Sequence, residues 1–263
     1  MSRFETILYE KSADKVATIT LNRPQAMNSF NGTMCSEFHA LWREIADDEA
    51  VNAIVLRAAP GRAFCSGMDV KNPGNYLGSD NLWNKRDPGE RLGPKNNLCW
   101  KPVITAVHGI CAGGAFYWLN ESDIVICSDD AQFFDPHVTY GMTAALEPIG
   151  MRWRMALPEV LRMALMGNDE RVGAATALRI SLVTEVVALD ALWSRAHEIA
   201  ATIANKPAVA TQGTVRAIWE SLDSTRTAGL NTALKYCLLG NDIGRKQVSR
   251  EDLMKAAKPF RVR

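Results

Sequence analysis

The stretch from Lys101 to Ala115, Lys-Pro-Val-Ile-Thr-Ala-Val-His-Gly-Ile-Cys-Ala-Gly-Gly-Ala, constrains the fold more than any other part of the chain. Val103, Ile104 and Val107 are β-branched and read as a short buried strand. His108-Gly109 marks a turn. Gly113-Gly114 stands just ahead of Phe116-Tyr117-Trp118-Leu119, where a helix would begin. Glycine at that point admits a ligand close to the backbone, and the first N–H groups of a helix have no partner within it. The stretch therefore offers a backbone-built site for an anion or oxyanion. A tight turn with glycines for packing accounts for it equally well.

The flanking segments repeat the alternation of strand and helix. Residues 14–21 read as a strand, and Asn22-Arg23-Pro24-Gln25-Ala26-Met27-Asn28 as a turn. Residues 33–47 carry Met34, Phe38, Leu41, Trp42 and Ile45 at helical spacing, and residues 52–57 form a second strand. Strand, long helix and strand predict a right-handed βαβ unit and a largely parallel sheet. After Ala63–Val70, residues 72–98 are rich in Gly, Pro, Asn and charge, and read as a partly helical lid or pocket wall. Residues 123–127 and 132–135 are further short strands. Helices are expected over 151–166, 173–180, 189–204, 208–221 and 226–239, with a β segment at 183–187. The division falls into an α/β core over 1–200 and a helical region over 201–263.

Composition narrows the function. With 30 basic against 29 acidic side chains, nothing points to a nucleic-acid or membrane-surface partner. No apolar run approaches the roughly 20 residues that span a bilayer, and Met1–Glu5 shows no signal-peptide core, so a cytoplasmic protein is expected. Cys35, Cys65, Cys99, Cys111, Cys127 and Cys237 lack paired spacing and read mostly as buried thiols in a reducing compartment. His39, His108, His137 and His197 never stand at metal-ligand spacing, so no metal site is expected. There is no phosphate-binding P-loop, no dinucleotide fingerprint, and no complete nucleophile elbow around Ser66. Two backbone-rich turns remain, Ser66-Gly67-Met68-Asp69 and Ala112-Gly113-Gly114-Ala115. Two N–H groups converging on one oxygen make an oxyanion hole, worth about 10²–10³ in rate per donor.

In this order the motifs resemble the crotonase (enoyl-CoA hydratase/isomerase) superfamily. The resemblance runs over about residues 10–205. It is carried by Val16–Asn28, Ala63–Lys71, Lys101–Gly114, Ser122–Ser128 with Ala131-Gln132-Phe133, and Leu165-Met166-Gly167 through Val187. It implies an α/β fold, a spiral of ββα units with a helical C-terminal part that aids trimerisation. It also implies an acyl-CoA thioester substrate of the kind met in fatty acid metabolism, no permanently bound cofactor, coenzyme A entering only as part of the substrate, and a homotrimer or hexamer. The oxyanion hole falls to the N–H groups of Met68 and Gly114. The coenzyme A path falls to Ala26, Met27, Ser66, Gly67, Asp69 and Val70, with Gly113 and Pro136 beside it. Residues 72–98 lie where the family varies its acyl pocket.

The chain departs from the family at the acid–base positions. Hydratases of this family add water with two glutamates; here the first position holds Tyr117 and the second His137. A phenol with a reference pKa near ~10 is a poor base at neutral pH, whereas imidazole near ~6.5 serves as acid or base. Tyr117 is left to donate a hydrogen bond or to fill the pocket. A carboxylate beside His137 would orient the ring, and Glu147 and Asp135 are the candidates. Glu121 shares a helical face with Tyr117 and is expected to be structural, paired near strand 123–127. Leu77, Leu82, Trp83, Leu92, Tyr117 and Trp118 hint at a bulky or apolar acyl group. Three readings follow: double-bond chemistry with His137 as proton carrier, C–C hydrolysis of a β-diketone by His137 with Glu147 or Asp135, and a non-catalytic acyl-CoA-binding protein.

Overall fold

The computed structural model describes residues 3–74, 83, 86–249, 251, 254 and 262. The chain forms two compact units, Met1–Ala204 and Asn205–Arg263. The first opens with β1 (Ile7–Lys11) and β2 (Val16–Leu21), then α1 (Gly32–Asp47), β3 (Ala53–Ala58) and β4 (Ala63–Cys65). It continues with β5 (Val103–Val107), β6 (Ile110–Ala112), a 3-10 turn over Gly113–Ala115, α2 (Phe116–Glu121), β7 (Ile124–Ser128) and β8 (Gln132–Phe134). Then come α3 (Leu146–Met151), α4 (Leu157–Met166), β9 (Val172–Gly173), α5 (Ala174–Arg179), β10 (Glu185–Val187) and α6 (Leu192–Ala204).

The strands divide between two sheets, one in the order β1-β2-β3-β5-β7-β10 and one in the order β4-β6-β8-β9. Among the described strands, the outer pairs β1–β2 and β8–β9 are antiparallel and the others parallel. Successive passes β3–β4, β5–β6–α2 and β7–β8–α3 each place one strand in each sheet, which is the expected ββ(α) turn of a spiral. Strand alternation sorts the side chains. Ile54, Leu56, Val103, Val107, Val125 and Cys127 enter the main core, while Val55, Ile104, Ala106 and Ile126 face α6 on the other side. Helix α6 answers with Leu192, Ala196, Ala200 and Ala204, whose four-residue spacing puts small side chains on one face and allows close approach. Both faces of the large sheet are covered, as parallel sheets require.

Helix α1 has the predicted stripe, with Met34, Cys35, Phe38, Leu41, Trp42 and Ile45 buried, and Asn31 caps it by accepting from the Met34 N–H at 3.1 Å. Strand β1, which the sequence reading did not register, pairs Ile7 with Leu21 through to Lys11 with Ala17. The helix expected over 151–166 is two helices, because residues 152–156 turn away and Pro158 sits in the first turn of α4, where its missing N–H costs nothing. Five of the six cysteines are buried; Cys237 is exposed.

The second unit is a helical hairpin of α7 (Ala208–Ser221) and α8 (Arg226–Lys246), the latter longer than the 226–239 expected. Gly240 and Gly244 lie against Val209, and Gly229 against Ser221, so the helices run antiparallel. Thr225 caps α8 by accepting from the Ala228 N–H. Among the described residues no helix is long and apolar enough to cross a membrane.

Of the residues read as a lid, 75–82, 84 and 85, with Leu77 and Leu82, lie outside the described residues. Leu92 and Trp118 are fully buried in the core and Trp83 is 94% exposed, so of the described bulky residues only Tyr117 stands at the candidate site.

Candidate active site

Two turns are bolted together first. After β2 the chain makes a 3-10 turn over Pro24–Ala26 and passes Met27 and Asn28 in the left-handed region, at φ 51° and 52°. Asparagine tolerates that conformation. The Asn28 side chain also accepts from the Arg23 N–H at 2.9 Å and donates to the Ala63 carbonyl at 2.9 Å. The Phe30 N–H donates to Gly67 O at 3.0 Å and the Asp69 N–H to Phe30 O at 2.8 Å, which pairs Phe30 with Met68 as a short parallel bridge. The Ser66 N–H donates to Met27 O at 3.2 Å. Arg23 spans both turns, donating to Ser29 O at 2.5 Å and to the Asp69 carboxylate at 2.7 Å. Burial opposes the charge on Asp69, but Arg23 and the N–H groups of Asn72 and Lys71 outweigh it and hold this carboxyl below its ordinary range.

The second backbone site abuts the first. Gly67 has φ 96°, and a Cβ there would stand 3.1 Å from Ala112 O and 3.5 Å from Gly114 N. A side chain at Gly114 would meet the Phe30 ring at 2.6 Å. The turns carrying Met68 and Gly114 are thus in direct contact, and glycine is required on both sides of the junction. The amide of Gly114 belongs to the first turn of a helix, whose N–H groups have no intrahelical acceptor. Met27, Met68 and Val70 expose their side chains, at 39%, 37% and 74%, along the same rim.

Gly113, at φ 52°, leads to the reactive side chains. A Cβ on it would lie 3.3 Å from Pro136 and 3.7 Å from Cε1 of His137. One oxygen of Asp135, a fully buried carboxylate, takes the His137 backbone N–H at 3.0 Å and its Nδ1 at 2.5 Å. A nitrogen facing a carboxylate oxygen is the protonated one, so Nε2 is directed the other way. There Glu147 Oε1 lies 3.8 Å from Nε2. The hydrogen bond from Asp135 raises the His137 pKa above its ordinary value against the opposing effect of burial, and the charges of Asp135 and Glu147 add to it. Burial raises the Glu147 carboxyl as well, helped by the negative charges of Asp135 and Asp87. Both candidate carboxylates are therefore in place, Asp135 on Nδ1 and Glu147 on Nε2.

Tyr117 and Glu121 sit one turn apart on α2 under the chain from Gly89 to Asn96. The Tyr117 ring lies against Gly89, where a Cβ would come within 2.3 Å, and stands edge-on to Phe30 with centroids 6.5 Å apart. The arrangement makes Tyr117 a wall. Glu121 is structural and pairs near strand 123–127, through Lys95, whose Nζ in turn reaches Asp123 at 2.9 Å. The Glu121 carboxylate accepts from the N–H groups of Lys95 at 2.6 Å and Asn96 at 2.9 Å, and Gly93 leaves room for it. Burial pushes this carboxyl up to about 7 even so. The sequence reading missed Asp87, Gly89 and Asn120, which have no motif signal because the contacts that matter bridge distant segments.

Comparison with known proteins gives the family and the fold. A family model described as enoyl-CoA hydratase/isomerase matches residues 11–253. An (E)-benzylidenesuccinyl-CoA hydratase of Thauera aromatica is 31% identical over 78% of this chain and 79% of its own. A short-chain-enoyl-CoA hydratase of Clostridium acetobutylicum is 32% identical over 88% and 85%. The crystal structure of an enoyl-CoA hydratase/isomerase from Mycobacterium paratuberculosis superposes with a TM-score of 0.79 at 39% identity, covering 89% of each chain. A match across nearly the whole chain, with the spiral of paired strands and relatives at this identity, makes the protein a crotonase-fold member of the enoyl-CoA hydratase/isomerase family.

Proposed function

We propose that this protein transforms an acyl-CoA thioester through an enolate, adding water to or removing it from the α,β double bond, with His137 and Glu147 as the proton-carrying pair. The N–H groups of Met68 and Gly114 hold the thioester oxygen as charge develops on it. Ala26, Met27, Ser66, Gly67, Asp69 and Val70 line the path of coenzyme A, with Gly113 and Pro136 where the acyl group turns towards His137. Coenzyme A is part of the substrate, and the reaction calls for no resident cofactor. Asp135 acts through His137 by fixing its ring.

The observation that carries this reading is the chain Asp135–His137–Glu147, with 2.5 Å at Nδ1 and 3.8 Å at Nε2. One water can bridge groups that far apart at about 2.8 Å from each, accepting from the Nε2–H of His137 and donating to the Glu147 carboxylate. In hydration that water adds its oxygen to the β-carbon and gives its proton to the Glu147 carboxylate. The π electrons move into the thioester as an enolate. The imidazolium Nε2–H then protonates the α-carbon. Proton transfer from Glu147 to His137 restores the starting state. The two carboxylates of the ordinary hydratase are replaced here by an imidazole and a carboxylate from a later helix.

A second reading, hydrolysis of a β-diketone, is favoured by one feature, the short Asp135–Nδ1 contact that makes Nε2 a base. There Nε2 takes a proton from the same water as its oxygen attacks a keto carbonyl, the C–C bond breaks with its electrons leaving as the held enolate, and Nε2–H returns the proton to the enolate carbon. Loss of conjugated-thioester absorbance with crotonyl-CoA and longer 2-enoyl-CoAs tests hydration; no turnover with any chain length counts against it. Tight acyl-CoA binding without turnover or α-proton exchange would instead mark a binding protein. The same reading carries a cytoplasmic homotrimer or hexamer, with an α/β core over 1–200 and assembly aided by the helical region 201–263.

A further inference from the structure

Glu147 faces His137 from α3, and a buried side chain of α2 is hydrogen-bonded to its backbone. Asn120, in the last turn of α2, is 8% exposed and donates from Nδ2 to the backbone carbonyl of Glu147 at 2.9 Å. Its other amide atom, Oδ1, is buried without a hydrogen-bond partner among the described residues. An unpaired buried carbonyl gives up its hydration with nothing in return. Leucine would fill similar space without that cost, so what asparagine contributes here is the donor. The helices close on it through Gly150, where a Cβ would come within 2.3 Å of Nδ2.

We propose that Asn120 is a positioning residue that locks Glu147 beside Nε2 of His137. The inference rests on the reading of His137 and Glu147 as a pair. It adds a design feature. Helix α2 grows out of the Gly113–Ala115 turn, so the backbone at Gly114, the Tyr117 wall and the tether on Glu147 all belong to one nine-residue run, Gly113–Glu121. A shift of α3 against α2 would separate the proton carriers from the backbone N–H site, and Asn120 opposes it.

The test needs no substrate. The chain has four histidines, so His137 can be followed by NMR titration of its ring, with His137→Ala identifying the signal. The other charged groups facing the pair are Asp135 on Nδ1 and Asp87 near Glu147. Glu147→Gln removes a negative charge at Nε2 and is expected to lower the His137 midpoint. Asn120→Leu is expected to lower it by at least half that shift, and to add nothing in the Glu147→Gln background. Gly150→Ala, which leaves the amide in place but pushes it aside, is expected to shift the midpoint in the same direction and decides the matter if Asn120→Leu does not fold. A wild-type midpoint in folded Asn120→Leu, or in Gly150→Ala where that variant decides, with a lowered one in Glu147→Gln, overturns the proposal alone. An unmoved midpoint in Glu147→Gln overturns the coupling of the pair and the proposal with it.

Discussion

His137 is pinned on one side and open on the other. Asp135 receives both its backbone N–H and its Nδ1, so rotation of the ring breaks a contact that the fully buried carboxylate cannot replace with water. Asp135→Asn keeps the shape but can present an N–H to Nδ1 and favour the wrong tautomer. It is expected to cut kcat about 10²–10⁴-fold with little change in KM, read from steady-state kinetics on whichever acyl-CoA proves active. The pH dependence has a definite sign. On the proposed mechanism the pair works with one proton between Glu147 and His137, so kcat/KM is expected to rise as the Glu147 carboxyl ionises and to fall as His137 loses its proton. Both groups are raised, Glu147 by burial and His137 by Asp135, so both limbs of the bell lie above the ordinary values of ~4.3 and ~6.5. Because the two groups interact, the limbs report the pair. Glu147→Gln should remove the acid limb; a profile that keeps it would assign that limb to another group.

Among the elements, α2 carries the most constraint for its length. Its Trp118 is fully buried between Phe30, Phe38 and Phe64, with ring centroids 5.9, 5.2 and 6.2 Å away. Trp118→Ala is expected to cost about 3–5 kcal/mol in denaturant unfolding, through lost contacts and the cavity left behind. Its neighbour Tyr117 is half-buried and stands edge-on to Phe30. The far end of α2 supplies a pH test. Burial lifts Glu121 from 4.5 to about 7 in the folded chain. Between those values the folded state binds the proton more readily than the unfolded one, so stability falls as pH rises through this window and is flat above it. Glu121→Gln should flatten that part of a plot of Tm against pH. How far such elements are legible in sequence follows from where their information sits. Strands β5 and β7 announce themselves by short continuous apolar runs and helix α1 by its periodic stripe, all of them local signals. The break at residues 152–156 is hidden because Trp153, Leu157, Leu161 and Leu165 keep four-residue spacing across it, and only Pro158 gives it away. Gly67 and Gly114 could be singled out because glycine marks a backbone demand directly. That Asn120 reaches Glu147, or that Glu121 reaches Lys95 and Asn96, depends on segments 25–27 positions apart and has no local pattern.

At the scale of the molecule, the second unit leaves a large apolar surface uncovered. Leu230, Leu234, Leu238, Leu239 and Ile243 on α8 are 56%, 57%, 70%, 71% and 53% exposed. Leu230, Leu234 and Leu238 step by four and share one face of the helix, and Leu239 and Ile243 widen the apolar surface beyond it. Burial of a leucine or isoleucine side chain contributes about 1.5–3 kcal/mol, so five of them left in water on one helix are the mark of an interface. A second copy of the chain is the partner that the family reading supplies. Sedimentation velocity is expected to give a trimer or hexamer. Replacing Leu234 and Leu238 together by Asp should shift the sedimenting species towards the monomer while circular dichroism keeps the helical signal. The effect should reach catalysis through loss of assembly, so activity should recover with rising protein concentration. The proton-carrying pair lies wholly within the first unit, so the His137 midpoint should not move in the same variant. An unchanged oligomer would give this face another task, and a displaced midpoint would show that assembly acts on the geometry of the Asp135–His137–Glu147 chain.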